Sequence, residues 1–357
     1  MISSAKYMPI LKWRQGEYQA LLRLEDKYKD VVLPLFVIPP VEYDFEEKKP
    51  KKTVQEHIEP FSSRYKSKWG DRAGLIDLHE SLESELMDNG SSVIEFIFES
   101  LHSDGLSAIP VVRLSHGKPY IESIRSISEK MGKGVSFRVE LDHLMKPSLD
   151  QEVQGLIQEL ALDRSEVDLV IDLGVPPKFE PYPAFAKALV AAITRISNLV
   201  DYRSFFIAGM SLNLSEIKRP GGEPIRHEWF LYQELVRCLR EIRVPDYGDY
   251  TIESPEFISQ DMRLLNPAGK IVYTTEKTWF IPKGKSFRDN RSQMVSHCKK
   301  IIASGYYSGE RYSDGDRRIF NTANDIEGTG NQGTWKQVGV SHHIVFVVNQ
   351  IARFHGL

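Results

Sequence analysis

The stretch VDLVIDLG, residues 167–174, has the pattern of a strand with two different faces. The apolar side chains of one face are Val167, Leu169, Ile171 and Leu173. Asp168 and Asp172 lie on the other face, because side chains alternate along a strand. An isolated charge in a dry interior costs several kcal/mol, so both acids need a polar or ion-paired environment. What this second face borders therefore decides the fold.

Seven more short apolar runs resemble this one, and amphipathic segments separate them. Successive runs begin 24 to 42 residues apart, which leaves room for a helical crossover each time. One such segment places Ile121, Ile124 and Ile127 along a single helical stripe. The candidate strands are 7–13, 31–38, 73–78, 107–115, 135–142, 167–174, 205–213 and 246–254.

Strands that alternate with helices indicate parallel pairing. Eight units favour a closed barrel, whereas an open doubly wound sheet more often stops at five to seven strands. We therefore predict an α/β fold, a (β/α)8 TIM-like barrel, with a C-terminal β-rich excursion and an extension.

Three segments depart from the alternation. The charged stretch EYDFEEKKPKK (42–52) has no apolar period and predicts a solvated loop. After the eighth strand, NPAG (266–269) indicates a turn between two strand-like arms. The segment SHHIVFVVNQIARF (341–354) predicts a strand or helix packed on the barrel. We predict a barrel domain with its inserted loops over 1–305 and an extension packed on it over 306–357.

In a barrel, alternate side chains of each strand point into the lumen. This parity sends Arg138 and Glu140 of the fifth strand, and Asp172 of the sixth, inward. Arg138 then requires an acid, and Glu140 and Asp172 are the nearest candidates by strand position. The predicted polar ring at the C-terminal mouth comprises Lys12, Asp77, Arg113, Arg138, Glu140, Asp142, Asp172 and Asp246.

The C-terminal ends of barrel strands carry the active site in barrel enzymes. We therefore predict Glu140, Asp142 and Asp172 as catalytic acids or bases. The predicted ligand-binding residues, suited to an anionic small molecule, are Lys12, Asp77, Arg113, Arg138 and Asp246. The alternative is a self-satisfied ion network that fills a lumen without a substrate.

Other motifs give weaker indications. Asp246 and Asp249 in PDYGDY are a possible divalent-ion pair, although DYGD is also turn chemistry. His342 and His343 are adjacent, so an extended segment would send only one of them to the site. The chain has no GxSxG, GxxxxGK[ST], HExxH or GxGxxG motif. We assign no metal, and the sequence leaves the cofactor open.

The composition excludes several classes of protein. The net charge of −3 and pI near 6.4 give no strong nucleic-acid signature. Cys238 and Cys298 stand alone, without a CxxC pair, which favours reduced thiols. The first residues lack the apolar core of a secretory signal, and no apolar run is long enough to span a membrane. We predict a cytoplasmic protein.

Several stretches resemble the Beta family of bacteriophage and bacterial proteins. They are KYMPILKWRQGEYQALLRL, LPLFVIPP, DLVIDLG, PDYGDY and GNQGTW…SHHI, and they run from about residue 6 to residue 350. The resemblance implies a place in the Gop–Beta–cII locus of a satellite phage, which acts as an anti-phage defence. Gop is toxic to the host when Beta is absent, so the implied partners are Gop-like and cII-like proteins. No catalytic residue is carried over from the family.

Two functions follow. The first is a regulatory, antitoxin-like component that binds and restrains a toxic Gop-like partner. The second is a barrel hydrolase or phosphodiesterase that acts on a nucleotide or another anionic metabolite, based on the polar ring. Whether the chain is an enzyme stays open at this point.

Overall fold

A computed structural model describes residues 7–257 and 265–356 of the chain. Eight parallel strands pair in chain order and close, β1 against β8, so the predicted (β/α)8 barrel is confirmed. Each predicted run overlaps one strand, because the apolar alternation marks the part of the run that the sheet buries. The strands are β1 (Tyr7–Lys12), β2 (Leu35–Ile38), β3 (Leu75–Leu78), β4 (Ile109–Arg113), β5 (Val135–Glu140), β6 (Val167–Asp172), β7 (Ser204–Gly209) and β8 (Asp246–Asp249).

Helices surround the barrel and begin and end at recognisable residues. The helix Lys118–Met131 has proline in its first turn and ends at Gly132, whose φ of 60° suits a left-handed cap. The described helices are α1 (Gln15–Leu22), α2 (Asp26–Lys29), α3 (Val54–Ile58), α4 (Phe61–Lys68), α5 (Val93–Ser103), α6 (Lys118–Met131), α7 (Leu141–Leu144), α8 (Leu149–Glu159), α9 (Tyr182–Ile193), α10 (His227–Leu239), α11 (Gln293–Ala303), α12 (Asp314–Ala323) and α13 (Gln332–His355).

The charged stretch after β2 is an exposed two-stranded hairpin. Tyr43–Asp44 pairs antiparallel with Lys49–Pro50, and most of its side chains reach solvent. Tyr43 and Phe45 form a local aromatic contact, with ring centroids 5.2 Å apart. The hairpin thus adds surface without adding core, as its composition predicts.

The excursion after β8 forms a small antiparallel sheet. Strands Ala268–Lys270 and Tyr273–Thr274 pair with Trp279–Ser286, which also pairs with Gly221–Gly222. The predicted turn at 266–269 is wrong, because Ala268 already pairs with Ser286. The turn lies instead between Thr275 and Thr278, where the Thr275 amide donates to the Thr278 carbonyl at 3.0 Å. Residues 263 and 264 of the predicted first arm lie outside the described residues.

The long helix α13 covers the outside of the barrel where β8 and β1 meet. The His343 ring Nε2 lies 2.9 Å from Asp249 Oδ2, and Tyr7 donates to the other oxygen of that carboxylate at 2.7 Å. The helix also packs along α1 and, through Phe354, against Trp229 of α10. It therefore occupies the place of the eighth barrel helix. The division of the chain at residue 305 stays a prediction.

Candidate functional site at the barrel mouth

A cavity of about 850 Å³ opens at the C-terminal ends of the barrel strands. Its inner wall is apolar where Ile10, Val37 and Leu78 lie near the C-terminal ends of their strands. Loop residues after β6 and β8, including Pro176 and Phe257, complete its sides. The cavity lies at the end of the barrel where the sequence predicted the site, and its volume suits a small molecule.

Arg138 forms the floor of this cavity with two buried carboxylates. Its Nε and Nη2 donate to Asp172 Oδ2 at 2.8 and 2.6 Å, and Nη1 donates to Asp77 Oδ2 at 2.6 Å. Tyr250 bridges the pair: its hydroxyl accepts from Arg138 Nη2 at 2.9 Å and donates to Asp172 Oδ2 at 2.5 Å. Burial and the neighbouring Asp172 carboxylate raise the pKa of Tyr250 well above its usual value.

The remaining carboxylate oxygens of the floor accept backbone amides. Asp172 Oδ1 accepts from Gly174 at 2.9 Å, and Asp77 Oδ1 accepts from Leu78 at 2.9 Å. Arg138 is therefore satisfied within the protein. Its predicted partner Asp172 is present, whereas Glu140 is not a partner of this arginine and lies 4.0 Å from Arg113 instead.

Arg113 is also held by protein groups. Its Nη2 donates to the Leu78 carbonyl at 3.0 Å, forms a close ion pair with Glu83, and lies 3.5 Å from Asp77 Oδ1. The two arginines that the sequence assigned to an anionic ligand are therefore already paired with carboxylates.

Glu140 and Asp142 line the outer rim of the cavity. Strand β5 ends at Glu140 and α7 begins at the next residue, so Asp142 stands on a short helix and not on the predicted strand. Glu140 is 40% exposed and Asp142 is exposed. These two acids are accessible from solvent, whereas Asp172 is buried beneath them.

Lys12 ends β1 and reaches into the cavity, as predicted. It is only 8% exposed, its amine donates to the Glu256 carbonyl, and its Nζ lies 4.6 Å from the centroid of the Phe257 ring. Burial lowers the pKa of Lys12 to about 8.

The placement of Asp246 in the polar ring is wrong. Asp246 begins β8, so it lies toward the N-terminal end of the barrel, away from the cavity. The possible divalent-ion site shared by Asp246 and Asp249 is wrong as well, because residues three apart on a strand face opposite sides. Asp249 is engaged by Tyr7 and His343.

Sequence reasoning missed three residues that line the cavity, Tyr250, Glu17 and Glu253, and also Lys336, which pairs with two of them. Tyr250 shares the inward parity of Asp246, so the strand pattern contained a signal for it. Glu17, Glu253 and Lys336 carried no such signal, because they lie on two helices and a loop. Lys336 Nζ lies 3.4 Å from Glu17 Oε1 and 3.4 Å from Glu253 Oε2. Burial raises the pKa of Glu17 to about 7.

The second acid of the opening strand serves the opposite end of the barrel. Asp168 accepts from Arg203 Nε at 2.9 Å and Nη2 at 2.6 Å, and from Ser204 at 2.6 Å. Asp168 thus closes the N-terminal end, whereas Asp172 supports the cavity floor. Both acids of VDLVIDLG face inward and both are paired.

Among residues 7–257 and 265–356, no group of three or more His, Cys, Asp and Glu side chains is placed to hold a metal ion. In the same part of the chain, no helix combines the length and hydropathy needed to cross a membrane.

The closed parallel barrel and the polar cavity at its C-terminal mouth define a (β/α)8-barrel protein with a candidate small-molecule site. Within that class, the chain belongs to the Beta protein family, whose sequence model matches residues 7–349. No curated protein matches the chain.

Three solved structures illustrate the likeness of fold. A mutant tryptophan synthase alpha-subunit from Pyrococcus furiosus is 13% identical, with a TM-score of 0.40, over 70% of this chain and 88% of that one. The 3-dehydroquinate dehydratase from Enterococcus faecalis is 11% identical, with a TM-score of 0.37, over 69% and 88%. A broad-specificity endoglucanase from an uncultured bacterium is 6% identical, with a TM-score of 0.37, over 68% and 78%.

Proposed function

We propose that this protein is a regulatory barrel that binds a small polar molecule at its mouth and restrains a toxic Gop-like partner. A cII-like protein is the second partner that we propose. The proposal of a bound small molecule rests on the cavity of about 850 Å³ above Arg138, whose charge is neutralised by Asp77 and Asp172. Membership of the Beta protein family supports the defence role and the partners.

The charge of the cavity favours a neutral or cationic ligand over the anionic one that the sequence suggested. Both arginines are held by Asp77, Asp172 and Glu83, so little positive charge remains for an anion. Carboxylates outnumber cations in the lining, and an anion would meet net repulsion there. The lining carboxylates are Glu17, Glu80, Glu140, Asp142, Asp172, Glu253 and Glu256, and the lining cations are Lys12, Arg113 and Arg138.

Co-expression tests the regulatory role. Cells that produce the Gop-like protein of the same locus should survive when this chain is produced with it, and the two proteins should elute together on sizing. Undiminished toxicity, with two separate elution peaks, would reject restraint by direct binding.

Analysis of co-purified small molecules tests the ligand. Native mass spectrometry should detect a bound molecule that Glu140→Gln weakens, because this change removes a carboxylate of the rim without disturbing the buried floor. Glu129→Gln is the matched control, since Glu129 is an exposed acid on α6. Equal occupancy in both variants would place the ligand elsewhere.

A hydrolase or phosphodiesterase is the second candidate. The observation that favours it is the pair of accessible rim acids, Glu140 and Asp142, which are free to exchange protons with a substrate in the cavity. Turnover of a nucleotide panel by the purified chain, lost in Glu140→Gln while the melting temperature is kept, would support an enzyme. If no nucleotide of the panel is turned over, the enzyme candidate is rejected and the regulatory role is the proposal that stands.

A further inference from the structure

Lys12 is buried, and no carboxylate of the described residues forms an ion pair with its amine. Its side chain lines the cavity at the end of β1, and its amine contacts the Glu256 carbonyl and the Phe257 ring. Among the described residues, no carboxylate oxygen lies within 4.0 Å of this amine. Lysine is rarely buried unless it is paired, so this position stands apart from an ordinary structural lysine.

Lys336 explains the missing partner. Its amine lies 3.4 Å from Glu17 and 3.4 Å from Glu253, and both of these acids raise the pKa of Lys12. Lys336 and Arg14 are the cations that lower it. Burial and the two cations lower its pKa to about 8, against the pull of the two acids. A large fraction of the amine is then neutral and nucleophilic near physiological pH.

Glu17 supplies a second, independent observation. It is 2% exposed, lines the same cavity, and its Oε2 has no hydrogen-bond partner. An unsatisfied buried oxygen of this kind costs stability unless a ligand completes it. Burial raises its pKa to about 7, so the carboxyl group can both give and accept a proton.

We propose that Lys12 forms a Schiff base with a ligand that carries an aldehyde or ketone group. Glu17 acts as the acid and base of that step, and Lys336 is a positioning residue that keeps the carboxylates away from the amine. This inference rests on the proposed binding of a small molecule in the cavity and names its reactive group.

The chemistry requires no other reagent. The Lys12 nitrogen attacks the carbonyl carbon, and a proton passes from nitrogen to the former carbonyl oxygen to give a carbinolamine. Protonated Glu17 then donates its proton to the hydroxyl group, which leaves as water while the nitrogen lone pair forms the C=N bond. The products are a protonated imine on Lys12, one water molecule and the Glu17 carboxylate. Hydrolysis by the reverse path releases the ligand.

Trapping tests the proposal on the unmodified full-length chain. The probe is propanal, a small neutral aldehyde, with cyanoborohydride to reduce any imine to a stable propyl adduct. At pH 7.5 a lysine of pKa about 8 has a neutral fraction roughly a hundredfold above that of an ordinary lysine. The Lys12 amine is also less basic and less accessible than an exposed amine, which reduces this advantage. Peptide mapping should therefore show Lys12 labelled at least roughly tenfold faster than exposed Lys299. Equal labelling rates would overturn the proposal.

Variants separate the three roles. Lys12→Arg should abolish the adduct at this position, whereas the matched change Lys299→Arg should leave Lys12 labelling unchanged. Lys336→Met should shift the pH profile of Lys12 labelling to higher pH, because Glu17 and Glu253 become available to the amine and raise its pKa. Glu17→Gln should slow trapping by propanal severalfold without slowing labelling by dinitrofluorobenzene, a neutral reagent that needs no dehydration step. An unshifted profile in Lys336→Met would reject its positioning role.

The failures of the two proposals are distinguishable. If Lys12 is not enriched in adduct while a small molecule still co-purifies and the Gop-like partner is still restrained, the Schiff base falls and the regulatory barrel stands. If the adduct forms on Lys12 but co-expression gives no protection, the reactive lysine stands and the regulatory role falls.

Discussion

The buried Arg138 is the residue on which the interior of the barrel depends. It is held between Asp77 and Asp172, and all three are nearly inaccessible to solvent. Removal of one partner leaves a buried charge only half compensated, which costs far more than the loss of a surface ion pair.

We expect Asp172→Ala to reduce the free energy of unfolding by about 3–5 kcal/mol, because Arg138 and the Tyr250 hydroxyl both lose their acceptor. Chemical denaturation measures the change. Asp142→Ala is the control, since Asp142 is exposed and its loss should stay within about 0.5 kcal/mol. Similar values for both variants would show that the network contributes little to stability.

How much of the site the sequence predicts depends on where each residue lies. Strand alternation correctly placed Arg138, Asp172 and Arg113 in the lumen, since period two is fixed by the pleat. The same argument failed at Asp246, because it gives the face of a residue and not its height along the barrel. It had no means of finding Lys336, which the tertiary packing of a distant helix brings to Glu17 and Glu253.

At the level of elements, helices α12 and α13 pack unusually closely. A Cβ atom added at Gly315 would lie 2.3 Å from the Val338 carbonyl oxygen. Gly155 also lies within a helix, α8, but a Cβ atom there would meet no other atom within 4 Å. The two glycines therefore have opposite roles.

We expect Gly315→Ala to destabilise the protein, because backbone must move to admit the methyl group. An overpacked core position typically costs about 1–3 kcal/mol. Gly155→Ala should instead stabilise by about 0.5–1 kcal/mol, since alanine favours a helix over glycine and the space is open. Melting temperatures of the two variants decide the question; a shift of the same sign in both would contradict this account.

The hairpin at 43–50 and helix α13 provide a second contrast between elements. Replacement of the hairpin by a short Gly-Ser linker should leave a folded barrel with little change in melting temperature, because the hairpin buries almost nothing. Deletion of 332–356 should abolish soluble folded protein, since it uncovers Tyr7 and Asp249 on the outer face of the barrel. A soluble, cooperatively melting barrel without α13 would show that the eight strands close without it.

Over the whole molecule, the stability should depend on pH through the contact of α13 with β8. Burial lowers the pKa of His343. Burial opposes ionisation of Asp249, but His343 and the hydrogen bonds from His343 and Tyr7 lower its pKa overall. Thr274 Oγ1 lies 2.8 Å from His343 Nδ1, which fits a neutral ring that donates from Nε2 to Asp249. Both groups therefore bind protons less readily in the folded than in the unfolded chain.

Unfolding then takes up protons, so these groups make the folded chain less stable as the pH falls. The stabilisation that His343 contributes to the folded chain is complete above its unfolded pKa near 6.5. It is lost as the pH falls through the lower pKa of the folded chain. The stabilisation that Asp249 contributes is lost at lower pH, below about 4. We expect the melting temperature to fall more steeply between pH 7.5 and 5 in the native chain than in His343→Gln. His102→Gln, at an exposed position on α5, is the control and should keep the native slope. Parallel slopes in all three proteins would contradict the assignment.

The sequence predicts the architecture better than the connections between its parts. The eight apolar runs and their spacing suffice for a closed barrel, because each run fits only a buried parallel strand. Among residues 250–257 and 265–292, the described part of the chain between β8 and α11, no helix takes the eighth place, and α13 takes it more than 80 residues after β8. No periodicity in the sequence predicts that α13 takes this place, since the outcome depends on which helix packs best against the last uncovered part of the barrel.

The position of α13 also affects how the chain matures during synthesis. Strand β1 ends at Lys12, but the helix that covers its outer face begins at Gln332. At about 5–20 residues per second, a ribosome needs roughly 16–64 s to make the intervening segment. Throughout that interval α13 does not cover the outer face of β1, so we expect the nascent chain to expose the apolar side chains of that face to chaperones. The covering of the barrel is complete only after α13 has been translated.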